Sequence, residues 1–404
     1  MRAVSTAKNA RGRGAARLFL ALVFPFLAFS AALCLSCDSA SGKRAGKQDE
    51  YITIGAIFPL TGHYCDEGVR ALNGIKQARQ EINDAGGVLG KKIDIIVLDD
   101  KGDKQRVVEQ YNVLKEMGVV AIIGSLFSNV TLPLAEAAAA DGMPVISPTA
   151  SNPEVTKGRK NVFRLIFLDD DQSRIVAGFA HKTLGAKTAL IIAGDERFEG
   201  MHKVFEEAFK AAGGQVIGKE RFTARRDFGA ILNKYGRNHP DVIFCATDYT
   251  IAAELAEAVN DAGFDGVKLL GTDAWDGILT FAHRLEAMER VYYASPFAFD
   301  EIHPAVARFS QRYFDNFSYT PISTAAQSYS AVQILVKAIE SAGSTKAEDI
   351  IEVMRTGVFD VIAGHMSFDE NNNPCSLDAS VYIMEIKGGY YRSVEKIRIR
   401  ERGL

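Results

Sequence analysis

Cysteine and tryptophan are scarce in this chain of 404 residues, which has five cysteines and one tryptophan. Cys34 and Cys37 lie in the N-terminal segment, so the body keeps Cys65, Cys245 and Cys375, an odd number that leaves at least one thiol unpaired. These three have no C-x-x-C spacing, and the seven histidines form neither H-x-x-x-H nor H-E-x-x-H. Neither a disulfide framework nor a metal site is predicted, and the core must form by burial of apolar surface.

Charge and motifs argue against nucleic acid binding and against catalysis. The chain has 47 basic and 50 acidic residues with no basic helix, whereas phosphate recognition needs clustered lysine and arginine. The run from Gly86 to Lys92 has one spacer too few for a phosphate loop and lacks the Ser or Thr that should follow the lysine. No G-x-G-x-x-G opens a helix, and no G-x-S-x-G elbow occurs. We therefore predict a binding protein, not an enzyme, without metal or cofactor.

The N-terminal segment has the features of a targeting signal. Basic residues with no acidic residue among them come first, and an apolar run follows. This order predicts a secretory signal over residues 1–36; an uncleaved membrane helix is the alternative, which Pro25 disfavours. The end of the segment resembles a bacterial lipoprotein signal, which implies acylation of Cys37, with Cys34 as the alternative. Removal of the signal changes the net charge from −3 to −8, and residues 37–50 are predicted to be a flexible tether.

Short apolar segments alternate with helical patterns along the body, which starts near Tyr51. The strand segments are nearly continuous isoleucine and valine, which is typical of sheets covered on both faces. The series occurs twice, so we predict an α/β protein with two doubly wound parallel-sheet lobes. The predicted strands are residues 52–58, 92–98, 119–123, 144–146, 188–192, 215–220, 242–244 and 268–270, and the predicted helices between them are residues 69–83, 105–117, 131–140, 201–212, 228–235 and 250–262.

The C-terminal part of the chain has a different order of elements. Three helices are followed by two closing strands, of which one is expected to return to each lobe. We assign residues 51–167 and 297–364 to lobe 1, and residues 168–296 and 365–404 to lobe 2. The predicted helices are residues 303–317, 324–341 and 346–354, and the predicted closing strands are residues 365–368 and 380–387.

The loops that follow the strands differ in chemistry between the two lobes. Ligands of open α/β sheets sit beyond the carboxyl ends of the strands. Lobe 1 offers hydroxyls and helix starts, which suit a carboxylate, whereas lobe 2 offers acids and aromatics, which suit an ammonium group, so a zwitterion would satisfy both. The alternative is that these residues only cap helices and shape turns. The loops are residues 59–64, 124–128 and 147–153 in lobe 1, and residues 194–200, 246–249 and 271–277 in lobe 2.

Four segments of the body carry a family resemblance: Ile54–Gly62, Glu81–Gly90, Ile146–Pro148 with Asn152-Pro153, and Arg226–Phe228. In order and spacing they resemble the leucine/isoleucine/valine-binding proteins of ABC transporters, over about residues 51–395. The resemblance implies the periplasmic binding protein type 1 fold, in which two lobes joined by three crossovers close on an amino acid.

The resemblance also implies ligand-binding positions. Ser128, Ala150 and Ser151 match the positions that hold the carboxylate and ammonium groups of the ligand. Asp273 matches the acid that pairs with the ammonium, usually glutamate in the family.

The remaining implied positions depart from the family pattern. Glu67 and Thr247 stand where the family often has aromatic residues, Phe198 falls near a family tyrosine, and Tyr249 lies beside Thr247. Trp275 lies in a loop that faces the cleft in the family, so it is predicted to pack over the ligand, although it could simply cover its loop. The extra acids predict a polar or basic ligand rather than leucine, unless they are solvated.

Together these features predict an extracytoplasmic solute-binding lipoprotein of an ABC transporter. It would capture an amino acid, branched-chain or related, between its lobes and deliver it to the permease subunits, anchored to a bacterial membrane in the periplasm or at the cell surface. Two alternatives remain: a ligand-sensing module that signals through a receptor partner, and a surface lipoprotein that serves adhesion.

Overall fold

The computed structural model describes residues 50–194, 196–362, 364–375 and 380–398. Lobe 1 is built on a five-stranded sheet and lobe 2 on a seven-stranded sheet. The strands of the first sheet are β1 (Tyr51–Phe58), β2 (Lys92–Asp99), β3 (Ile122–Gly124), β4 (Val145–Ser147) and β5 (Val162–Arg164). The helices that follow β1, β2 and β3 are α1 (Cys65–Asp84), α2 (Lys104–Glu116) and α3 (Ser128–Asp141).

The first sheet is parallel throughout, with the strand order β2-β1-β3-β4-β5. Strand β1 lies in its interior, and successive side chains point to opposite faces. Ile54 and Phe58 pack into the core on one face, while Ile57 packs into the core on the other. This burial on both faces explains the unbroken apolar run in the sequence, and the predicted fold class is confirmed.

The second sheet has the order β14-β13-β10-β9-β8-β6-β7. Its parallel strands are β6 (Thr188–Ala193), β7 (Gln215–Arg221), β8 (Val242–Phe244), β9 (Lys268–Gly271) and β10 (Val291–Ser295). The helices of this lobe are α4 (Asp169–Lys182), α5 (Glu199–Ala211), α6 (Phe228–Asn233) and α7 (Tyr249–Asp261).

The closing strands differ from the prediction. Residues 359–361 and 364–366 form a separate hairpin, β11 (Phe359–Val361) and β12 (Gly364–Met366). Strands β13 (Ser380–Lys387) and β14 (Tyr390–Arg398) then both join the second sheet, antiparallel to their neighbours. Met366 of β12 packs into the core beside the first sheet while β13 joins the second sheet, so one predicted closing strand packs with each lobe. Strand β14, an edge strand, is absent from the prediction. It carries Arg392, Glu395, Lys396 and Arg398, and such charged residues protect an exposed edge but do not form an apolar run.

Three helices after β10 pack mainly with lobe 1: α8 (Pro304–Phe317), α9 (Ser323–Ala342) and α10 (Ala347–Thr356). Helix α9 lies against α1, and most of its side chains are buried. The two helices approach closely at Gly74, where an added Cβ would lie 2.1 Å from the carbonyl oxygen of Ala325.

The chain passes between the two sheets three times: between β5 and α4, between β10 and α8, and between β12 and β13. We propose the lobe boundaries near these connections. The last return lies later than residue 364, because Met366 and Phe368 pack into the core beside the first sheet and Asn372 donates to the carbonyl of Val162 at 3.1 Å. We therefore propose that lobe 1 extends to about Cys375.

The predicted signal, Cys37, and nearly all of the predicted tether lie outside the described residues. Within the part that is described, no helix combines the length and the apolar character needed to cross a membrane.

The close contact of α1 with α9 yields a first test. We expect Gly74→Ala to destabilise the protein by about 1–3 kcal/mol, because its Cβ would meet backbone that cannot move aside as a flexible side chain can. Gly200→Ala, in helix α5 with nothing within 4 Å of the added Cβ, is the matched control, and we expect it to be neutral or stabilising by up to about 1 kcal/mol. Urea unfolding measures both; equal effects of the two substitutions would contradict the close helix contact.

Candidate functional site

A cavity of about 190 Å³ lies where the carboxyl ends of strands from the two sheets face each other. The loops after β1, β3 and β4 contribute one side, and those after β6, β8 and β9 contribute the other. Since water occupies about 30 Å³ per molecule in the liquid, the space suits a small solute rather than a macromolecule.

Six of the nine predicted ligand-binding residues line this cavity; they are Glu67, Ser128, Ser151, Phe198, Tyr249 and Asp273. They come from both lobes and from loops that lie far apart in the chain. The fold thus brings together what the resemblance implied, while their contact with a ligand stays a prediction.

Hydroxyl groups and a helix start form the lobe 1 end of the cavity. Ser128 is the first residue of α3, whose initial backbone N–H groups have no acceptor within the helix and carry partial positive charge. Its hydroxyl accepts a hydrogen bond from the backbone N–H of Asn152 at 3.2 Å, which ties the two loops together. Ser151 and Thr149 line the same end. This set of donors is suited to an anionic group such as a carboxylate.

A buried arginine holds the loop that carries Ser151. The Arg164 guanidinium, on β5, donates to the carbonyls of Ala150 at 3.1 Å, Asn152 at 2.7 Å and Pro153 at 3.1 Å, and to Thr156 Oγ1 at 2.8 Å. Burial lowers the pKa of Arg164 to about 10, so the side chain stays charged at neutral pH. Charge-assisted hydrogen bonds from Arg164 therefore hold the loop after β4 in place.

Two carboxyl groups, those of Asp169 and Asp273, lie beside this hydroxyl set, since Ser151 hydrogen-bonds to Asp169. Burial, and to a smaller extent the charge of the nearby Asp169, raise the pKa of Asp273 to about 7, while a hydrogen bond with Gln172 acts against this shift. The backbone N–H of Asp273 donates to Gln172 Oε1 at 3.0 Å. Burial also raises the pKa of Asp169, against hydrogen bonding by Ser151 and the charge of Arg164. A cation placed here would restore the charged form of both acids.

A third wall is formed by Glu67 and Asp276, from opposite lobes. Thr324 donates to Glu67 Oε2 at 2.5 Å, and the backbone N–H of Ser323 donates to Asp276 Oδ2 at 2.7 Å. Burial raises the pKa of Glu67 to about 8, although Thr324 and Arg70 act against the shift. Burial likewise raises the pKa of Asp276.

Aromatic rings close the remaining side. The rings of Tyr64 and Phe127 lie with centroids 4.6 Å apart, and the Arg197 guanidinium lies over Tyr64 at 5.9 Å and over Phe198 at 5.3 Å. Tyr249 donates to Asp66 Oδ1 at 2.8 Å, a bond from lobe 2 to lobe 1, and burial raises its pKa well above the usual range.

Three predicted residues do not line the cavity, and for Trp275 the prediction was wrong. Trp275 is fully buried in the core of lobe 2, where its ring fills the space beside Gly271 that a Cβ would occupy. Ala150 is also fully buried, and its backbone N–H and carbonyl bond to Ser147 and Arg164 instead of facing a ligand. Thr247 is fully buried at the end of β8, so the neighbouring Asp248 and Tyr249 face the cavity in its place.

Sequence reasoning missed Asp169, Ser323 and Thr324, which also line the cavity. Asp169 begins the helix after β5, so the rule that loops follow the carboxyl ends of strands could have found it. Ser323 and Thr324 are the first residues of α9, which lies far along the chain from the other lining residues. No local sequence pattern indicates that this helix begins at the cavity.

The cysteines and acids give no indication of metal chemistry. Cys65 and Cys245 are free thiols, and burial raises the pKa of Cys245 far above its usual value, so its thiol is unreactive. Among the residues that the structure describes, no three His, Cys, Asp or Glu side chains are grouped to hold a metal ion.

Two facing α/β lobes with a polar cavity between them define a two-lobed solute-binding protein. The family model for the periplasmic binding protein matches residues 51–390. The chain is 28% identical over 354 residues to the Leu/Ile/Val-binding protein BraC3 of Rhizobium johnstonii, covering 83% of this chain and 92% of that protein. It is 27% identical to a leucine-, isoleucine-, valine-, threonine- and alanine-binding protein of Pseudomonas aeruginosa, covering 82% and 89%.

Among solved structures, the branched-chain amino acid transporter substrate-binding protein LivJ of Streptococcus pneumoniae, in complex with isoleucine, superposes with a TM-score of 0.79. It is 26% identical, over 86% of this chain and 99% of that one. The chain therefore belongs to the periplasmic binding protein family, and its predicted resemblance to leucine/isoleucine/valine-binding proteins is confirmed. Membership of this family implies an extracytoplasmic location. The relatives are solute-binding proteins and not enzymes, in agreement with the prediction that this chain has no enzymatic activity.

The raised pKa of Asp273 generates a prediction about the ligand-free protein. Its folded-state pKa of about 7 exceeds the ordinary value of 3.8, so the folded state binds more protons and its stability falls as pH rises from about 4 to 7. Asp273→Asn removes this loss, so we expect it to raise the unfolding temperature at pH 8 and to change it little at pH 4. Asp84→Asn, at an exposed position, is the control. A stabilisation independent of pH would contradict the assignment.

Proposed function

We propose that this protein is the solute-binding component of an ABC transporter, which captures an amino acid in the cavity between its lobes and delivers it to the permease subunits. The observation that carries the proposal is that hydroxyl groups and a helix start lie beside buried carboxyl groups in one cavity. Ser128 and Ser151 supply the hydroxyls, while Asp169, which is hydrogen-bonded to Ser151, and Asp273 supply the carboxyl groups.

An α-amino acid carries its two charged groups on one carbon atom, so they can meet these neighbouring hydroxyl and carboxyl groups together. Its carboxylate would accept hydrogen bonds from Ser128, Ser151 and the N-terminal backbone of α3. Its ammonium would donate to Asp273 and offset the charge of Asp169, both of which are unfavourably buried without a cation. A monocarboxylate would leave the acids without a partner, and a simple amine would leave the hydroxyl end empty.

The names of the relatives support the same class of solute. The two curated relatives bind branched-chain and small amino acids by name, and the pneumococcal structure contains isoleucine. They cover most of both chains, so the comparison concerns the whole two-lobed body.

Contacts between the lobes provide a mechanism of capture by closure. Tyr249 donates to Asp66, Arg70 donates to Thr280 Oγ1 at 2.9 Å, and the backbone N–H of Ser323 donates to Asp276. A ligand that touches both lobes makes its full set of contacts only when the lobes are together, so it shifts the population toward the closed form.

Thermal unfolding in the presence of each of the twenty amino acids tests the proposal. A ligand that binds only the folded state raises the unfolding temperature, by about 2.7 kcal/mol of stability at a concentration of 100 Kd. We expect one class of amino acids to give a rise that Asp273→Ala and Ser151→Ala abolish. Ser341→Ala, on an exposed face of α9, should leave the rise intact. No rise with any amino acid would refute the proposed function.

We also propose that the mature protein is attached to the membrane by a lipid on Cys37. The basic start, the apolar run and the small residue Ser36 before Cys37 support this site, and the polar residues that follow would serve as the tether.

Substitution of the two N-terminal cysteines tests the anchor. Because only the acylated residue holds the lipid, we expect Cys37→Ala to move the protein from the membrane fraction to the soluble fraction, while Cys34→Ala stays membrane-bound with the lipid mass attached. Fractionation with mass spectrometry of the mature N-terminus gives the readout. Release by Cys34→Ala and retention of Cys37→Ala would reverse the assignment.

A further inference from the structure

The third wall of the cavity joins two carboxyl groups from opposite lobes. Glu67 lies in the first turn of α1, and Asp276 follows the short turn after β9. The two carboxyl groups are neighbours, because the charge of Asp276 raises the pKa of Glu67. In addition, Glu67 Oε1 lies 3.8 Å from the position that a Cβ on Gly277, the residue after Asp276, would take. Gly277 has a φ of +91° and leaves this space open.

The two carboxyl groups differ in how their oxygens are satisfied. Asp276 accepts at both oxygens, from the backbone N–H of Ser323 at 2.7 Å and from the hydroxyl of Tyr293 at 3.0 Å. Glu67 accepts from Thr324 at Oε2, whereas its Oε1 accepts no hydrogen bond from the described residues. Glu67 is only 7% exposed, and it lines the cavity. Glu67 Oε1 is therefore open to the ligand space, with no hydrogen-bond partner among the described residues.

The basic side chains near the cavity do not hydrogen-bond to Glu67 Oε1. Arg70 acts on both carboxyl groups through its charge, but its guanidinium donates to Thr280 and lies over the ring of Tyr319 at 5.2 Å. Among the described residues that line the cavity, five are acidic and one, Arg197, is basic; it lies 3.7 Å from Asp248. The lining thus has an excess of negative groups beyond the pair that an α-ammonium would engage.

We propose that this wall selects an amino acid whose side chain ends in an ammonium or guanidinium group, with Glu67 and Asp276 as the specificity-determining residues. The proposal rests on the proposed function, because the neighbouring hydroxyl groups and acids around Ser151 and Asp273 must hold the α-carboxylate and the α-ammonium. A branched apolar side chain would leave Glu67 Oε1 buried without a hydrogen bond. A cationic side chain would donate to it and offset both carboxylates.

The ionisation of Glu67 makes the proposal testable by pH. Its carboxyl has a pKa of about 8 in the absence of ligand, so a cationic ligand must displace a proton below that pH, whereas an apolar ligand favours the protonated form. Asp273 titrates lower and affects every α-amino acid alike through the α-ammonium. The ratio of two affinities therefore removes the contribution of Asp273 and reports on the wall formed by Glu67 and Asp276. The charged and titratable groups that act on Glu67 are Arg70, Asp66, Asp276, Tyr249 and Tyr391.

Calorimetric titration of the purified protein, freed of bound ligand by unfolding and refolding, compares L-ornithine, L-lysine, L-arginine, L-glutamine and L-leucine. We expect at least one of the three basic amino acids to bind about tenfold or more tightly than leucine and glutamine. We further expect the affinity ratio of that amino acid to leucine to rise between pH 6 and pH 8.5, because only the cation gains from ionised Glu67.

Glu67→Gln keeps the size and the hydrogen-bonding shape of the side chain but removes its charge. We expect it to weaken the basic amino acid by about tenfold to a hundredfold, to leave leucine binding unchanged or stronger, and to abolish the pH dependence of the ratio. Asp84→Asn, an exposed acid on the same helix, should change none of these quantities. Retained binding of leucine by Glu67→Gln would show that the variant is folded, and its unfolding temperature provides the same control.

The results of these titrations distinguish a failure of this inference from a failure of the proposed function. If leucine or isoleucine binds as tightly as the basic amino acids, the selection of a cation is overturned while amino acid capture stands. If glutamine binds most tightly, the wall selects a neutral amide and the proposal is likewise overturned. If no amino acid binds, the proposed function fails and this inference falls with it.

Discussion

The binding chemistry of this protein depends on the edge of a parallel sheet. All strands of such a sheet end at the same edge, so their following loops converge there, and in this chain two such edges face each other. Neither edge is sufficient alone: lobe 1 supplies hydroxyls and a helix start, while lobe 2 supplies Asp273. Under the proposed function, a ligand with two opposite charges would contact both lobes at once, and its binding would be coupled to closure.

Buried carboxyl groups set the energetics of the cavity. Removal of an acid from water favours its neutral form, and burial is the largest cause of the raised pKa values of Glu67, Asp273 and Asp276. The protein tolerates these groups through hydrogen bonds from Thr324, Ser323 and Tyr293. Under the proposed function, a cation in the cavity would recover the stability lost to their burial, and the ligand would be part of the charge balance of the folded state.

Much of the architecture was accessible from local pattern. Continuous isoleucine and valine runs identified the interior strands, because strands covered on both faces need apolar residues at every position. The same criterion failed for β14, which carries four charged residues, and it could not place Phe368 beside the first sheet, because that placement depends on packing with distant residues such as Phe163. Trp275 illustrates a further limit: its loop borders the cavity, but the missing Cβ of Gly271 lets the ring turn into the core.

The sequence by itself determined the fold class, the doubling of the lobes and the loops where a site would form, because all of these follow from periodicity, composition and order along the chain. Only the tertiary structure decided which loop residues face the cavity. It buried Ala150, Thr247 and Trp275, brought Asp169 to Asp273, and joined Glu67 with Thr324 across more than half of the chain. These outcomes depend on side-chain direction and on contacts between segments far apart in sequence, for which no local pattern carries a signal.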